Sequence, residues 1–196
     1  MKKKLLVIGS GGHASSLIDV IDSTKKFKII GIICDKRKKG ETFLGYRVLG
    51  GDEYLKNIKG DKPYVSLGFS LYKNLSLYKK KYLEIEKMGF IIPTVVSPFA
   101  YVSKGTNLND GVNIFHGVVI NNNCKIAKGV TINSKTLIEH DCQIEPFSHI
   151  STGCVLNGNV RIKEKTFVGS GTIVKENVKI YKKKFIKIGS LVINDL

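Results

Sequence analysis

The second half of this 196-residue chain carries a six-residue period that few folds can satisfy. From Val102 to Val192 every sixth residue is Ile, Leu or Val, sixteen in succession. These three residue types make up 57 of the 196 residues, so chance would give such a run, in any register, with a probability on the order of one in a hundred million. The fifth position of each block is equally restricted. Thr106, Val112, Val118, Cys124, Val130 and Thr136 begin a series of small residues that runs to Ser190 and is broken by one large charged residue, Lys184. On an α-helix, successive sixth residues would sit about 240° apart and form no single apolar face. A large aliphatic followed four residues later by a small residue is what a narrow parallel β-helix requires, because both side chains point into a prism too tight for two bulky groups. Cys124, Cys142 and Cys154 all occupy the small slot and read as core filler. Together with Cys34 they form neither a CxxC pair nor a dense disulfide framework, which points to a reducing, cytoplasmic location.

The first half has a different pattern. Lys4–Ile8 reads as a buried strand, Gly9–His13 as a glycine-rich turn and Ala14–Ser23 as a helix, an order that gathers amide N–H groups and a helix dipole at one anion-binding spot. Further strands are expected at Ile29–Cys34, ending at Asp35, and at Tyr64–Leu67, ending at Gly68-Phe69-Ser70. A helix near Leu71–Met88 and a fourth strand around Phe90–Val95 complete the reading. The domains are placed at 1–97, an α/β Rossmann-like domain, and 98–196, an all-β parallel β-helix of about five coils. Gly9-x-Gly11-x-x-Ala14 followed by Asp35 also satisfies a dinucleotide fingerprint, so the motif alone leaves a nicotinamide cofactor and another phosphate ligand both open. The single mononucleotide-sized half and the prism that follows lower the cofactor reading.

The hexads resemble those of the hexapeptide-repeat acyltransferases. The chain as a whole, through Val7–Ala14 and Asn133–Cys142, resembles the sugar acetyltransferases of the PglD and NeuD type. That resemblance implies a left-handed coil, a side-by-side homotrimer, acetyl-CoA in the groove between neighbours, and no metal. It implies acetylation of the 4-amine of a nucleotide-linked 4-amino-4,6-dideoxysugar, the alternative being O-acetylation of a sugar of the sialic acid type. By the same resemblance His140 is the general base and Asp141 its partner, where relatives often have Glu. His149 and Ser170 contact the coenzyme, and Gly11, Gly12, His13, Asp35, Lys36 and Gly68 hold the nucleotide sugar. Lys36 replaces an Asp of PglD. The chain also lacks the Gly-x-Pro-Ala-Lys close of its relatives, and the repeat falters at Lys182–Lys184. Histidine suits the base role near neutral pH. His116 has no role carried over and reads as an exposed turn residue.

Charge decides less than it first suggests. The chain has 32 Lys and Arg against 16 Asp and Glu, a formal +16, but only Arg37, Arg47 and Arg161 are arginine. Nucleic-acid readers lean on the guanidinium fork, and the lysine clusters are scattered without a binding motif, so nucleic acid is not an expected partner. Apolar runs fall well short of the roughly 20 residues of a membrane span.

Overall fold

The computed structural model describes residues 2–69 and 74–196. The chain divides into two units, one within residues 1–70 and 80–93 and the other within 71–79 and 94–196.

In the first unit β1 (Lys3–Ile8) buries Leu5, Leu6, Val7 and Ile8, the continuous apolar run of a strand covered on both faces. It pairs in parallel with β2 (Phe27–Ile33) and β5 (Tyr64–Leu67), and α1 (Gly12–Thr24) makes the crossover from β1 to β2. The sheet continues beyond β2 through a hairpin that sequence reading did not foresee. Its strands β3 (Thr42–Phe43) and β4 (Tyr46–Gly50) turn at Leu44 and Gly45, both at positive φ as a tight hairpin turn requires. A short α2 (Asp52–Lys56) follows, and α3 (Leu75–Lys87) lies after β5. Ser70 and the expected helical residues 71–73 lie outside the described residues.

The fourth strand expected near Phe90–Val95 does not join this sheet. Residues 90–94 form no strand, and the carbonyl of Ile91 accepts one bond from the Val65 N–H at 3.0 Å. Pro93 has no N–H to give a ladder and restricts Ile92 before it. Val95–Val96 pairs instead with Asn113–Ile114 in the second unit.

There, two-residue strands recur from Val95–Val96 to Leu191–Val192 and stack into three parallel sheets of six, five and six strands. Each strand pairs with the one eighteen residues on, as Val119–Ile120 does with Leu137–Ile138, so three hexads make one coil. The array begins one block earlier than the periodicity from Val102 indicated, with Val96 in the aliphatic slot and Ala100 in the small one. One face starts at Tyr101–Val102, the second at Asn107–Leu108 and the third at Val95–Val96.

The prism interior explains the alternation of Val with Thr, Ser and Cys in the small slot. The hydroxyl members before Ser190 donate to a carbonyl fifteen residues further on, as Thr136 Oγ1 does to Ser151 at 2.8 Å, Ser148 Oγ to Lys163 at 2.9 Å and Thr166 Oγ1 to Tyr181 at 2.9 Å. The thiols of Cys124, Cys142 and Cys154 do the same at 3.1 Å to Glu139, Asn157 and Gly169. All three cysteines are buried, as the small-slot reading requires. Lys184 is exposed, and with it the last coil loses its inward small residue. The chain end returns to cover that coil: Tyr181 N–H donates to the Leu196 carbonyl and Leu196 N–H to that of Lys179.

The fourth position of every block from Gly111 to Gly189 takes a left-handed φ. Gly and Asn fill most of these turns, but Lys135, Asp141, Phe147, Lys165 and Lys183 also adopt it.

Replacing Thr166 by Val keeps the slot filled but leaves the Tyr181 carbonyl without its donor. The expected cost is about 1–2 kcal/mol, read as a lower midpoint in denaturant with an unchanged slope.

Candidate active site

His140 and Asp141 occupy the corner that follows the Leu137–Ile138 strand. His140 is the third residue of its block, so its imidazole points outward, 64% exposed. Asp141 sits in the left-handed turn position at φ 65, a conformation that a short polar side chain tolerates. This turn aims its carboxylate back at the ring, with His140 Nδ1 2.7 Å from Asp141 Oδ2. A carboxylate only accepts, so Nδ1 is the donor and Nε2 keeps its lone pair. Asn123, one coil earlier in the same turn position, donates Nδ2 to Asp141 Oδ1 at 2.6 Å and fixes the carboxylate from the other side.

These contacts set the electrostatics. The hydrogen bond to Asp141 raises the His140 pKa above its ordinary value, with smaller contributions from the charges of Asp141 and Glu139. The Asp141 carboxyl is held below the usual range by the bonds from His140 and Asn123. A cleft opens beside the ring, lined by Glu139, Asn157, Gly158, Asn159, Glu176 and Asn177. Glu139 is itself held by Asn121 Nδ2 at 2.7 Å. The arrangement presents the imidazole Nε2 to solvent, backed by a fixed carboxylate, a geometry suited to a general base.

Ser170 lies on a different corner, the one after Phe167–Val168, where its Oγ is 2.8 Å from that of Ser151. His149 lies on the third face. It is 6% exposed, with its ring 5.3 Å from that of Phe167, and is therefore not brought beside His140 within this chain. His116 departs from the exposed-turn expectation: it is half-buried, and its Nδ1 is 2.6 Å from Oγ of the buried Ser97, which also accepts the Phe99 N–H. Among the described residues no group of three or more His, Cys, Asp or Glu is arranged to hold a metal ion, and no helix is long and apolar enough to cross a membrane.

In the first unit the structure gathers the remaining residues at the carboxyl edge of the sheet, where open α/β sheets take ligands. Gly9 donates to the Ile33 carbonyl and Gly68 to that of Ile8, both at 2.8 Å, so the ends of β1, β2 and β5 are tied together. A Cβ at Gly68 would stand 2.9 Å from Val7 Cγ1 and 3.0 Å from Ala14 Cβ, so glycine there is a packing requirement. Gly11 caps α1, and a Cβ at either Gly11 or Gly12 would meet nothing within 4 Å, leaving the helix N-terminus open to a ligand. Burial lowers the His13 pKa to about 4, so near neutral pH its ring is uncharged and serves as a hydrogen-bonding group. Asp35 and Lys36 are exposed after β2. The Asp35 carboxylate lies over Gly51, where any side chain would overlap it.

Sequence reading missed Asn123, Gly51 and Gly158. The signal for Asn123 was present, since it stands one coil, eighteen residues, before Asp141. Gly158 has the same eighteen-residue spacing, from His140, but its meaning lies in a missing side chain, and Gly51 lies outside the repeat, so its neighbour Asp35 shows no such spacing.

Two parallel lines of likeness meet in this chain. A prism of three parallel sheets with an outward histidine and carboxylate at one corner follows, in chain order, a mostly parallel sheet with its helix crossover, and this is the architecture of β-helix acetyltransferases. Residues 4–70 match the family model of the PglD N-terminal domain. The fold matches PerB from Caulobacter crescentus, solved with CoA and GDP-perosamine, at a TM-score of 0.90 and 26% identity over 98% of this chain and 90% of that one. It also matches the acetyltransferase domain of PglB from Neisseria gonorrhoeae, solved with acetyl coenzyme A, at 0.90 and 24% identity over 100% and 93%. WeeI from Acinetobacter baumannii matches at 0.74 and 20% identity over 94% and 93%. No curated protein matches by sequence. The chain is thus similar to sugar acetyltransferases of the PglD type, over residues 4–70 by family model and over nearly its whole length by fold.

Asp141→Asn should bring the His140 pKa back down toward its ordinary value, visible by NMR titration of the imidazole as a midpoint at lower pH. For His13 the folded pKa lies below the unfolded one. The unfolded chain therefore binds the extra proton, and stability present above about pH 6.5 is lost as pH falls toward 4. His13→Gln should flatten that limb in a series of melting curves.

Proposed function

We propose that the protein is an acetyl-CoA-dependent N-acetyltransferase that acetylates the 4-amine of a nucleotide-linked 4-amino-4,6-dideoxysugar, with His140 as general base. The observation that carries this reading is the His140–Asp141 pair, an exposed imidazole whose Nε2 is left free by a carboxylate bonded to Nδ1. The likeness to PerB, whose structure holds CoA and GDP-perosamine, supports the choice of ligands.

In this mechanism the amine attacks the thioester carbonyl directly. His140 Nε2 takes the proton that the nitrogen loses as the C–N bond forms, the tetrahedral intermediate collapses with cleavage of the C–S bond, and the departing coenzyme A thiolate takes that proton from the imidazolium and leaves as the thiol. Asp141 stabilises the imidazolium formed on the way. The nucleotide phosphates are assigned to the amides of Gly11 and Gly12 at the open start of α1, with His13, Asp35, Lys36 and Gly68 around them. The coenzyme is assigned to the corner of Ser151 and Ser170. His149, whose ring is covered within the chain, contributes by shaping the adjoining face.

A side-by-side homotrimer in the cytoplasm is part of the same proposal. One prism face turns outward an unbroken apolar column of Tyr101, Val119, Leu137, Val155, Ile173 and Leu191, whereas the next face presents Asn107, Lys125, Gln143, Arg161 and Lys179. An apolar column of this length fits the same column on a second copy. The charge of the cleft favours an amine over a sialic acid hydroxyl. Glu139, Asp141 and Glu176 lie on the corner of His140 and would repel a carboxylate-bearing sugar.

Thiol release from acetyl-CoA should be seen with nucleotide-linked 4-amino sugars such as GDP-perosamine, with the product heavier by one acetyl group. His140→Ala should lower kcat by about 100- to 10,000-fold. Acetylation of hydroxyl acceptors alone would overturn the amine assignment, and full turnover in His140→Ala would overturn the base.

A further inference from the structure

The third position of each block on the His140 corner forms a column, Lys104, Asn122, His140, Gly158, Glu176 and Asn194, spaced one coil apart. Gly158 is the one member without a side chain. Its backbone does not ask for glycine, because its φ lies outside the left-handed region that the fourth-position residues occupy. Space does ask for it. A Cβ at 158 would stand 2.8 Å from His140 Cε1, 3.0 Å from Nε2 and 3.4 Å from Nδ1, the whole edge of the ring.

We infer that Gly158 is a positioning residue for His140: its bare Cα is the floor on which the imidazole lies. The ring leans onto the following coil because Asp141 pulls Nδ1 from the side, and only a missing Cβ lets it settle there with the 2.7 Å bond intact. The same absence opens the column between His140 and Glu176, so Nε2 borders the cleft at the gap. A methyl group at 158 forces the exposed ring to swing away, and the bond to Asp141 goes with it. The prism core is untouched, since the inward neighbours Leu156 and Val160 do not change. This inference rests on the reading of His140 as base for its effect on rate, but not for its effect on the ring.

The test is Gly158→Ala, examined in three ways. NMR titration should show the His140 pKa lowered toward its ordinary value relative to the parent, at an unchanged melting temperature. With acetyl-CoA and GDP-perosamine, kcat should fall by about 10- to 100-fold while KM for acetyl-CoA stays constant, as expected for a displaced catalytic group. In a His140→Ala background the same substitution should cost nothing further, because there is no ring to displace. An unchanged His140 titration in Gly158→Ala overturns the inference, as does an equal loss of rate in both backgrounds. If His140→Ala alone retains full turnover, the base assignment fails, and the titration still decides whether Gly158 seats the ring.

Discussion

The width of the prism is the constraint on which the rest of the structure depends. Each coil admits one large aliphatic and one small residue per side, and the same slots repeat at every eighteenth residue. Because the inward residues allow no slip in register, the outward ones are stacked in columns with fixed spacing. A polar small-slot residue inside the stack is tolerated because its hydrogen bond closes onto a carbonyl of the next coil, as the i to i+15 bonds of Thr136, Ser148 and Thr166 do. The core thus specifies geometry at the surface without contributing any chemistry to it.

Chemistry enters at the corners. A corner residue has no packing duty, so its identity is free to follow function, while its position is held by the coils above and below. His140 acquires its orientation from three of them: Asn123 one coil before, through Asp141; Asp141 in its own coil; and Gly158 one coil after. The left-handed turn at Asp141 matters here. An ordinary backbone at that position would send the carboxylate away from the ring, and the bond that selects the Nδ1–H tautomer would be lost.

How legible this was in the sequence follows from the range of each interaction. The hexads were plain because every slot reports the same constraint, and the pair His140–Asp141 was plain because its members are adjacent. Val96 was the exception, an in-register block overlooked because it abuts the end of the first domain. The hairpin at residues 42–50 was missed because its first strand has only two residues and its second only five, too short to show a clear periodicity. The strand expected at 90–95 failed because Pro93 interrupts an otherwise apolar run. Gly158 and Gly51 carry their meaning in an absent atom, and what would fill the space comes from residues eighteen and sixteen positions earlier in the chain. His149 was legible as an outward sixth-position residue, but its burial comes from neighbours such as Phe167 on the next coil, which a single hexad does not reveal.

The charge distribution ties the corner to the proposed reaction. In a chain with twice as many basic as acidic residues, the corner of His140 brings together Glu139, Asp141 and Glu176. The hydrogen bond to Asp141, with the charges of Asp141 and Glu139, strengthens the imidazole as a base but lowers the fraction that is neutral at a given pH. An amine that becomes positively charged as it attacks gives up a proton that this charge has made acidic, and the neighbouring carboxylates stabilise the positive charge in the cleft. A sugar hydroxyl develops the opposite charge when it is deprotonated, and three neighbouring carboxylates oppose it. The lysine-rich remainder of the surface has the complementary task, since phosphates of a nucleotide sugar and of a coenzyme are drawn by a positive field that the corner itself lacks.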